Sequence, residues 1–356
     1  MPKKYLKFLI VSIWVSLFCL LCYSPYLIPK SIESKNLSIL TWADILEPSV
    51  LKAFEEKFGV KIHLSYYASN EELLVKMKAT EGAGYDLIVP SDYAVAKLVQ
   101  YDLIQPLNKD LIPNAKKIDP LLLNQFYDKD NTYSLPFEWE VFGFGYNKEI
   151  LKLDGAGWDI LFNPDLDYKY VMSNDPTEAI QFASYYLFGP KSLLSPSELQ
   201  VVIDLLSMSR KRTEAYASFR SDYFLATKNV PLVVASSSYI WRSFKNYPFI
   251  GFKIPEEGSF ITIENLCLSK SSKNSNLAHK LMDYLYSDDS MKKHFETFSF
   301  FPTTLWQIPS VDFDPQTAEI MKDRKELLKK MLFINELTGQ EKIQDAWVKI
   351  KVSSLP

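Results

Sequence analysis

From Leu37 onward the apolar positions switch repeatedly between two spacings. Leu37–Thr41 is a short apolar run, and Leu46, Val50, Leu51, Phe54 and Phe58 then recur at helical intervals. Gly59 stops that helix, as expected at a C′ position. Val60–Tyr66 reads as a second strand, and Asn70 as the cap of a helix from Glu71 to about Thr80. Tyr85–Val89 is a third strand ended by Pro90, and Ala94–Tyr101 a third helix. Strand and helix in strict alternation predict an α/β architecture, a mostly parallel sheet with helices on both faces. Ligands of such sheets sit beyond the C-terminal ends of the strands. Two loops occupy that position, Thr41-Trp42-Ala43-Asp44 and Pro90-Ser91-Asp92-Tyr93.

A second unit repeats the alternation. Its strands are Phe142–Asn147, Tyr170–Ser173, Val230–Ala235, Phe252–Ile254 and Ser259–Leu268. Its helices run from about Pro176 to Phe188 and from Ser195 to about Ser209; Ala278–Tyr286, Ser290–Phe298 and Ala318 to about Leu332 follow. No repeat, low-complexity tract or flexible linker separates the units. The chain is therefore expected to cross between two lobes more than once.

The N-terminus has a different pattern. Lys3, Lys4 and Lys7 precede a run from Phe8 to Cys22 without a charged residue. Basic residues before a short apolar run form an export signal, and the run is short for a spanning helix of roughly 20 residues. No clean small-x-small cleavage site follows, so residues 1–30 are either a signal peptide or a retained N-terminal anchor. The cargo is expected to work in the periplasm. Four of the 40 basic residues and none of the 43 acidic ones lie in this leader, which leaves the remainder acidic. That sign argues against a nucleic-acid partner and is compatible with a cationic ligand. Only Cys267 lies outside the leader, so no internal disulfide is expected.

Catalytic signatures are absent: there is no Gly-rich phosphate loop, no G-x-S-x-G and no H-E-x-x-H. His63, His279 and His294 lack metal-ligand spacing and read as structural or solvent-facing. Ser236-Ser237-Ser238 has no paired base and reads as a polar turn. No metal, cofactor or catalytic residue is assigned.

Several segments together carry a resemblance. Trp42-Ala43-Asp44, Leu87-Ile88-Val89-Pro90-Ser91-Asp92-Tyr93, Tyr133-Ser134-Leu135-Pro136-Phe137 and Asn174-Asp175-Pro176-Thr177-Glu178 occur in that order, joined by Gly157-Trp158-Asp159 and Phe301-Pro302-Thr303. In this collinear set, from about residue 37 to the C-terminus, the chain resembles the periplasmic polyamine-binding proteins. The resemblance implies a two-lobed, type II periplasmic-binding-protein clamshell. It places residues 37–137 with 262–300 in the first lobe and 142–261 with 301–356 in the second. It also implies a monomer that closes on spermidine or putrescine and delivers it to an inner-membrane ABC permease with its ATPase.

Matched position by position, the resemblance implies ligand contacts at Trp42, Asp44, Ser91 and Tyr93 in the first two loops. It implies amine-holding acids at Asp175, Glu178 and Glu264, and further contacts at Phe301 and Asn335. Each has a plainer reading: Trp42 as a loop aromatic, Ser91 and Tyr93 as turn residues, Asn174 or Asp175 as a helix cap, Glu178 as a first-turn acid, Glu264 as a solvent-facing strand residue. The family pattern is also broken. Ala235 and Thr262 stand where tryptophans are expected, Ala43 and Ile45 where hydroxyl and tyrosyl groups are common, and Phe301 where a tyrosine is. Tyr239 or Trp241 is available to refill the lost wall, and Glu138 and Glu140, beside Trp139 near the hinge, to add charge. Two readings therefore stand beside polyamine capture: the same clamshell with altered specificity for another small cation or amino acid, and an extracytoplasmic enzyme.

Overall fold

A computed structural model describes residues 35–352 apart from 219, 245, 305–321 and 323, with two isolated positions at 14 and 16. The expected leader and the start of the helix expected at Ala318 lie outside the described residues.

Twelve strands build one continuous curled sheet: β1 (Lys35–Trp42), β2 (Val60–Tyr67), β3 (Leu87–Ile88), β4 (Ile104–Gln105), β5 (Ser134–Asn147), β6 (Tyr170–Met172), β7 (Thr213–Tyr216), β8 (Leu232–Ser236), β9 (Ile250–Lys253), β10 (Ser259–Ser269), β11 (Phe301–Pro302) and β12 (Met331–Phe333). The order along the main path is β2-β1-β3-β10-β5-β8-β6-β7. At one end β1 pairs parallel with β2 and β3; at the other, β6 pairs parallel with β7 and β8. The middle is antiparallel, so the sheet is mixed rather than mostly parallel. β10 runs against β3 and β5, and β5 against β8 and β9.

Two strands, β5 and β10, thus join the two ends of the sheet. The first half of β5 pairs with β10, and its second half with β8 and β9. β5 is 14 residues long, well beyond the Phe142–Asn147 expected. The missed first half carries Pro136, Glu138 and Glu140, which break its apolar run. Apolar residues gather separately on either side of these crossing strands. Leu37, Phe54, Leu87 and Met282 lie in one core, and Phe144, Trp158, Phe182 and Leu232 in another.

Local sequence explains most boundaries. Helix Pro48–Phe58 ends at Gly59, whose φ of 62° suits glycine and whose N–H bonds to the Glu55 carbonyl. Helix Asn70–Thr80 is capped by Ser69 rather than by Asn70, one residue earlier than expected. Helix Pro176–Phe188 is capped by Asp175, as the plainer reading of that residue has it. The expected helix running to about Leu332 is seen only as Arg324–Lys329, and Met331–Phe333 instead adds a strand to β10. The Ser236-Ser237-Ser238 run is no turn: it joins β8 to helix Ser237–Phe244 and is buried.

His279 and His294 are both buried and structural. His294 Nε2 accepts the Glu47 N–H at 3.0 Å, and its Nδ1 faces the Ser290 carbonyl at 2.7 Å. His279 makes the same pair of bonds, to Asn108 N–H and the Ser275 carbonyl. Burial pushes the His294 pKa down from 6.5 to about 4. The unfolded chain therefore takes up a proton that the folded chain refuses, and stability falls as pH drops through that interval, by up to about 3 kcal/mol. A His294→Gln variant lacks this penalty. Its stability deficit relative to the parent is expected to shrink between pH 7 and pH 4 in urea unfolding; a deficit constant with pH would contradict it.

Candidate functional site

The strand ends that face each other across the crossing strands enclose a cavity of about 830 Å³, within the range of small-molecule sites, roughly 300–1,000 Å³. Each wall begins as a loop after a strand. β1 delivers Trp42, β2 delivers Tyr66 and Tyr67, the segment after β3 delivers Ser91 and Tyr93, and the loop after β6 delivers Asp175 and Glu178.

Glu264 is fixed on the first-lobe side. Its Oε1 accepts the Ser91 hydroxyl at 2.7 Å and its Oε2 accepts the Trp42 indole N–H at 2.9 Å. Ser91 and Glu264 also face each other in an isolated antiparallel bridge. The Trp42 ring packs on Tyr67 with centroids 4.5 Å apart, and Tyr67 donates its hydroxyl to the Val89 carbonyl. Tyr93 donates to Glu71 at 3.4 Å. Across the cavity, Asp175 Oδ1 accepts the N–H groups of Thr177 and Glu178 at 2.7 and 3.2 Å. Glu178 accepts the Ser173 hydroxyl at 2.5 Å.

The electrostatics are one-sided. Six acids line the cavity, Glu71, Glu72, Glu140, Asp175, Glu178 and Glu264, with no Lys, Arg or His in the lining among the described residues. Burial pushes the Glu178 carboxyl well above the ordinary range, and the charges of Asp175, Glu140 and Glu71 push it further; the Ser173 hydroxyl opposes. Burial likewise raises Glu264, helped by Glu140 and Asp92 and opposed by Ser91 and Trp42. Asp92, buried beneath and held by the Ile263 N–H at 2.8 Å, is raised by burial to about 7. Carboxylates stripped of water and crowded by like charges favour any cation that enters. Tyr66, Tyr67, Tyr93, Tyr239 and Trp42 supply ring faces suited to a cation and to aliphatic spans.

Of the residues expected from the sequence, Trp42, Ser91, Tyr93, Asp175, Glu178 and Glu264 meet in this one cavity. Three do not. Asp44 is exposed, with a φ of 59°, and faces Arg242 of the opposite lobe at 3.9 Å. Phe301 is 0% exposed and packs on Trp139 and Trp241; its neighbour Phe300 lines the cavity instead. Asn335 lies at a second, smaller cavity, with its N–H on Gln181 and its amide on the Phe333 carbonyl, and Ile334 takes the lining position. Both misses are one-residue slips, and in an extended segment one residue turns a side chain to the other face.

Of the broken family positions, Ala43, Ile45, Ala235 and Thr262 line the cavity. Tyr239 occupies the same wall, whereas Trp241 is packed inward against Phe252 and Phe301. Of the two acids beside Trp139, Glu140 lines the cavity and Glu138 is buried behind it. Two acids alternating within an apolar strand were the signal for Glu140. Tyr66 opens a segment, Tyr66 to Asn70, that is part of the resemblance, whereas nothing local in the sequence marks Glu71 or Glu72.

The sequence model of the bacterial extracellular solute-binding protein family matches residues 49–316. The spermidine/putrescine-binding periplasmic protein of Escherichia coli is 27% identical over 274 residues, covering 75% of this chain and 77% of that protein. A putrescine-binding periplasmic protein of Pseudomonas aeruginosa is 25% identical over 343 residues, 90% of this chain and 93% of that one. In structure, the spermidine/putrescine ABC transporter substrate-binding protein of Streptococcus pneumoniae superposes with a TM-score of 0.76 at 22% identity, covering 89% of this chain and 99% of that chain.

Proposed function

Starting from the fact that this chain belongs to the bacterial extracellular solute-binding proteins, we propose that it captures a polyamine between its lobes and delivers it to an ABC permease. It is a receptor rather than an enzyme and works in the periplasm, exported by its N-terminal segment and released or retained as an anchor. The observation that carries the ligand class is the cavity lining: six acids, seven aromatic rings and, among the described residues, no basic side chain. An aliphatic polyamine alternates ammonium groups with methylene spans. Each ammonium leaving water needs a carboxylate or several oxygen acceptors, and each span and flanking charge is served by a ring face. The relatives named for spermidine and putrescine support the same class. Isothermal titration with putrescine, spermidine and spermine tests it; no heat from any of the three overturns it.

A second reading, the same clamshell tuned to a different amine or a basic amino acid, is favoured by Ala235 and Thr262. Both widen the wall where the resemblance expects rings. Titration with arginine and lysine separates the two readings.

Trp42 separates wall from scaffold. Trp42→Phe keeps a ring but removes the indole N–H that holds Glu264, and a hydrogen bond to a charged group contributes about 1.5–3 kcal/mol. Amine affinity is expected to fall within that range, and further in Trp42→Ala. Phenylalanine and parent binding alike would show the N–H to be unimportant.

A further inference from the structure

The acids of the cavity fall into separate stations. Glu264 is held by Trp42 and Ser91, while Asp175 and Glu178 occupy the loop and first helical turn of the other lobe. Glu140 belongs to neither group. It comes from β5, where the strand passes between the lobes, paired with Thr262 on β10. In the sheet order β10-β5-β8-β6 it sits between Glu264 on β10 and the loop after β6 that carries Asp175 and Glu178. Its carboxylate accepts the Ser238 hydroxyl at 2.5 Å, which aims it. The guanidinium of Arg242, 3.9 and 4.0 Å from Asp44 and Asp222, also attracts the Glu140 charge, but burial outweighs it and raises the carboxyl.

A second observation points the same way. Glu138 lies directly opposite Glu264 in the β5–β10 pairing and is 1% exposed. Its Oε2 has no hydrogen-bond partner among the described residues. Like charges facing each other across strands are destabilising, and a buried carboxylate oxygen without a donor is costly. Both penalties ease if a cation is drawn to the middle of the cleft. The small side chains of Ala235 and Thr262 keep that middle open.

We propose that Glu140 is a specificity-determining residue that gives the cleft a central third station, so that ligands with three or more ammonium groups are preferred to diamines. This rests on the polyamine reading above. A diamine neutralises the outer stations and leaves Glu140, with Glu138 behind it, to the serine hydroxyls and Arg242 alone. A triamine places its inner ammonium there.

The test is titration of the parent and of Glu140→Gln with spermidine and putrescine. Glutamine keeps the shape and an acceptor for Ser238. The parent is expected to bind spermidine at least tenfold more tightly than putrescine. The variant is expected to lose at least tenfold on spermidine and under threefold on putrescine, so the preference collapses. Equal losses on both amines, or none, overturn the proposal. 1,8-Diaminooctane on the parent protein needs no variant: it has spermidine's length and both terminal ammonium groups but a methylene in place of the inner amine, so it should bind at least tenfold more weakly than spermidine, and equal binding also overturns it. Failure of every amine to bind the parent would instead sink the polyamine reading itself.

Discussion

Glu178→Gln is expected to bind polyamines about 2–5 kcal/mol more weakly than the parent while the ligand-free protein melts a few degrees higher. Both effects have one cause. Glu178 is half-buried at the cleft, crowded by Asp175, Glu140 and Glu71, and its carboxyl is held far above its ordinary pKa. In the empty protein its charge costs stability, because burial and like charges oppose it with only the Ser173 hydroxyl in its favour. With an ammonium beside it the same charge becomes the attraction that retains the ligand. Glutamine keeps the shape and can still bond Ser173, so the folded state loses only the charge. Titration calorimetry and thermal melts read the two effects separately. Unchanged affinity would remove Glu178 from the binding reaction, and a lower melting temperature would mean that its charge stabilises the empty fold.

Amine affinity is expected to strengthen as pH rises from about 5 to 8, by up to roughly tenfold per unit for each proton released. Glu178, Glu264 and Glu140 are all raised by burial. Over the interval between their ordinary and raised values, the empty cleft holds protons that an entering cation must displace. The stability of the empty protein runs the opposite way. A group raised on folding contributes stability below its unfolded pKa and loses it as pH climbs through its folded pKa. The gap in melting temperature between free and amine-saturated protein should therefore widen toward pH 8. Calorimetry in two buffers of different ionisation heat counts the protons; zero release with pH-independent affinity contradicts the arrangement.

The alternation of short apolar runs with helical spacing revealed the layered architecture, because buried parallel strands and amphipathic helices have distinct periods. Asp175, Glu178, Ser91 and Trp42 were legible for a related reason: strands of a parallel layer release their loops on one side. The crossing strands were harder. Ahead of the expected Phe142–Asn147, β5 carries a proline and two buried acids, yet the whole of Ser134–Asn147 is extended. Which of two adjacent residues faces a cavity depends on local register, and that is how Phe300 and Ile334 displaced Phe301 and Asn335. Met331–Phe333 is three residues of ambiguous period, and only its partner on β10 makes it a strand.

β5 and β10 are laddered to each other along their middles and carry Glu138, Glu140 and Glu264 on that shared stretch. The lobes therefore do not swing on a slack tether; they flex a two-ply ribbon whose one irregularity falls between Glu264 and Asn265. Flexing that ribbon changes the spacing of the acids mounted on it. Their mutual repulsion opposes bringing them closer, and a cation held among them lowers that cost.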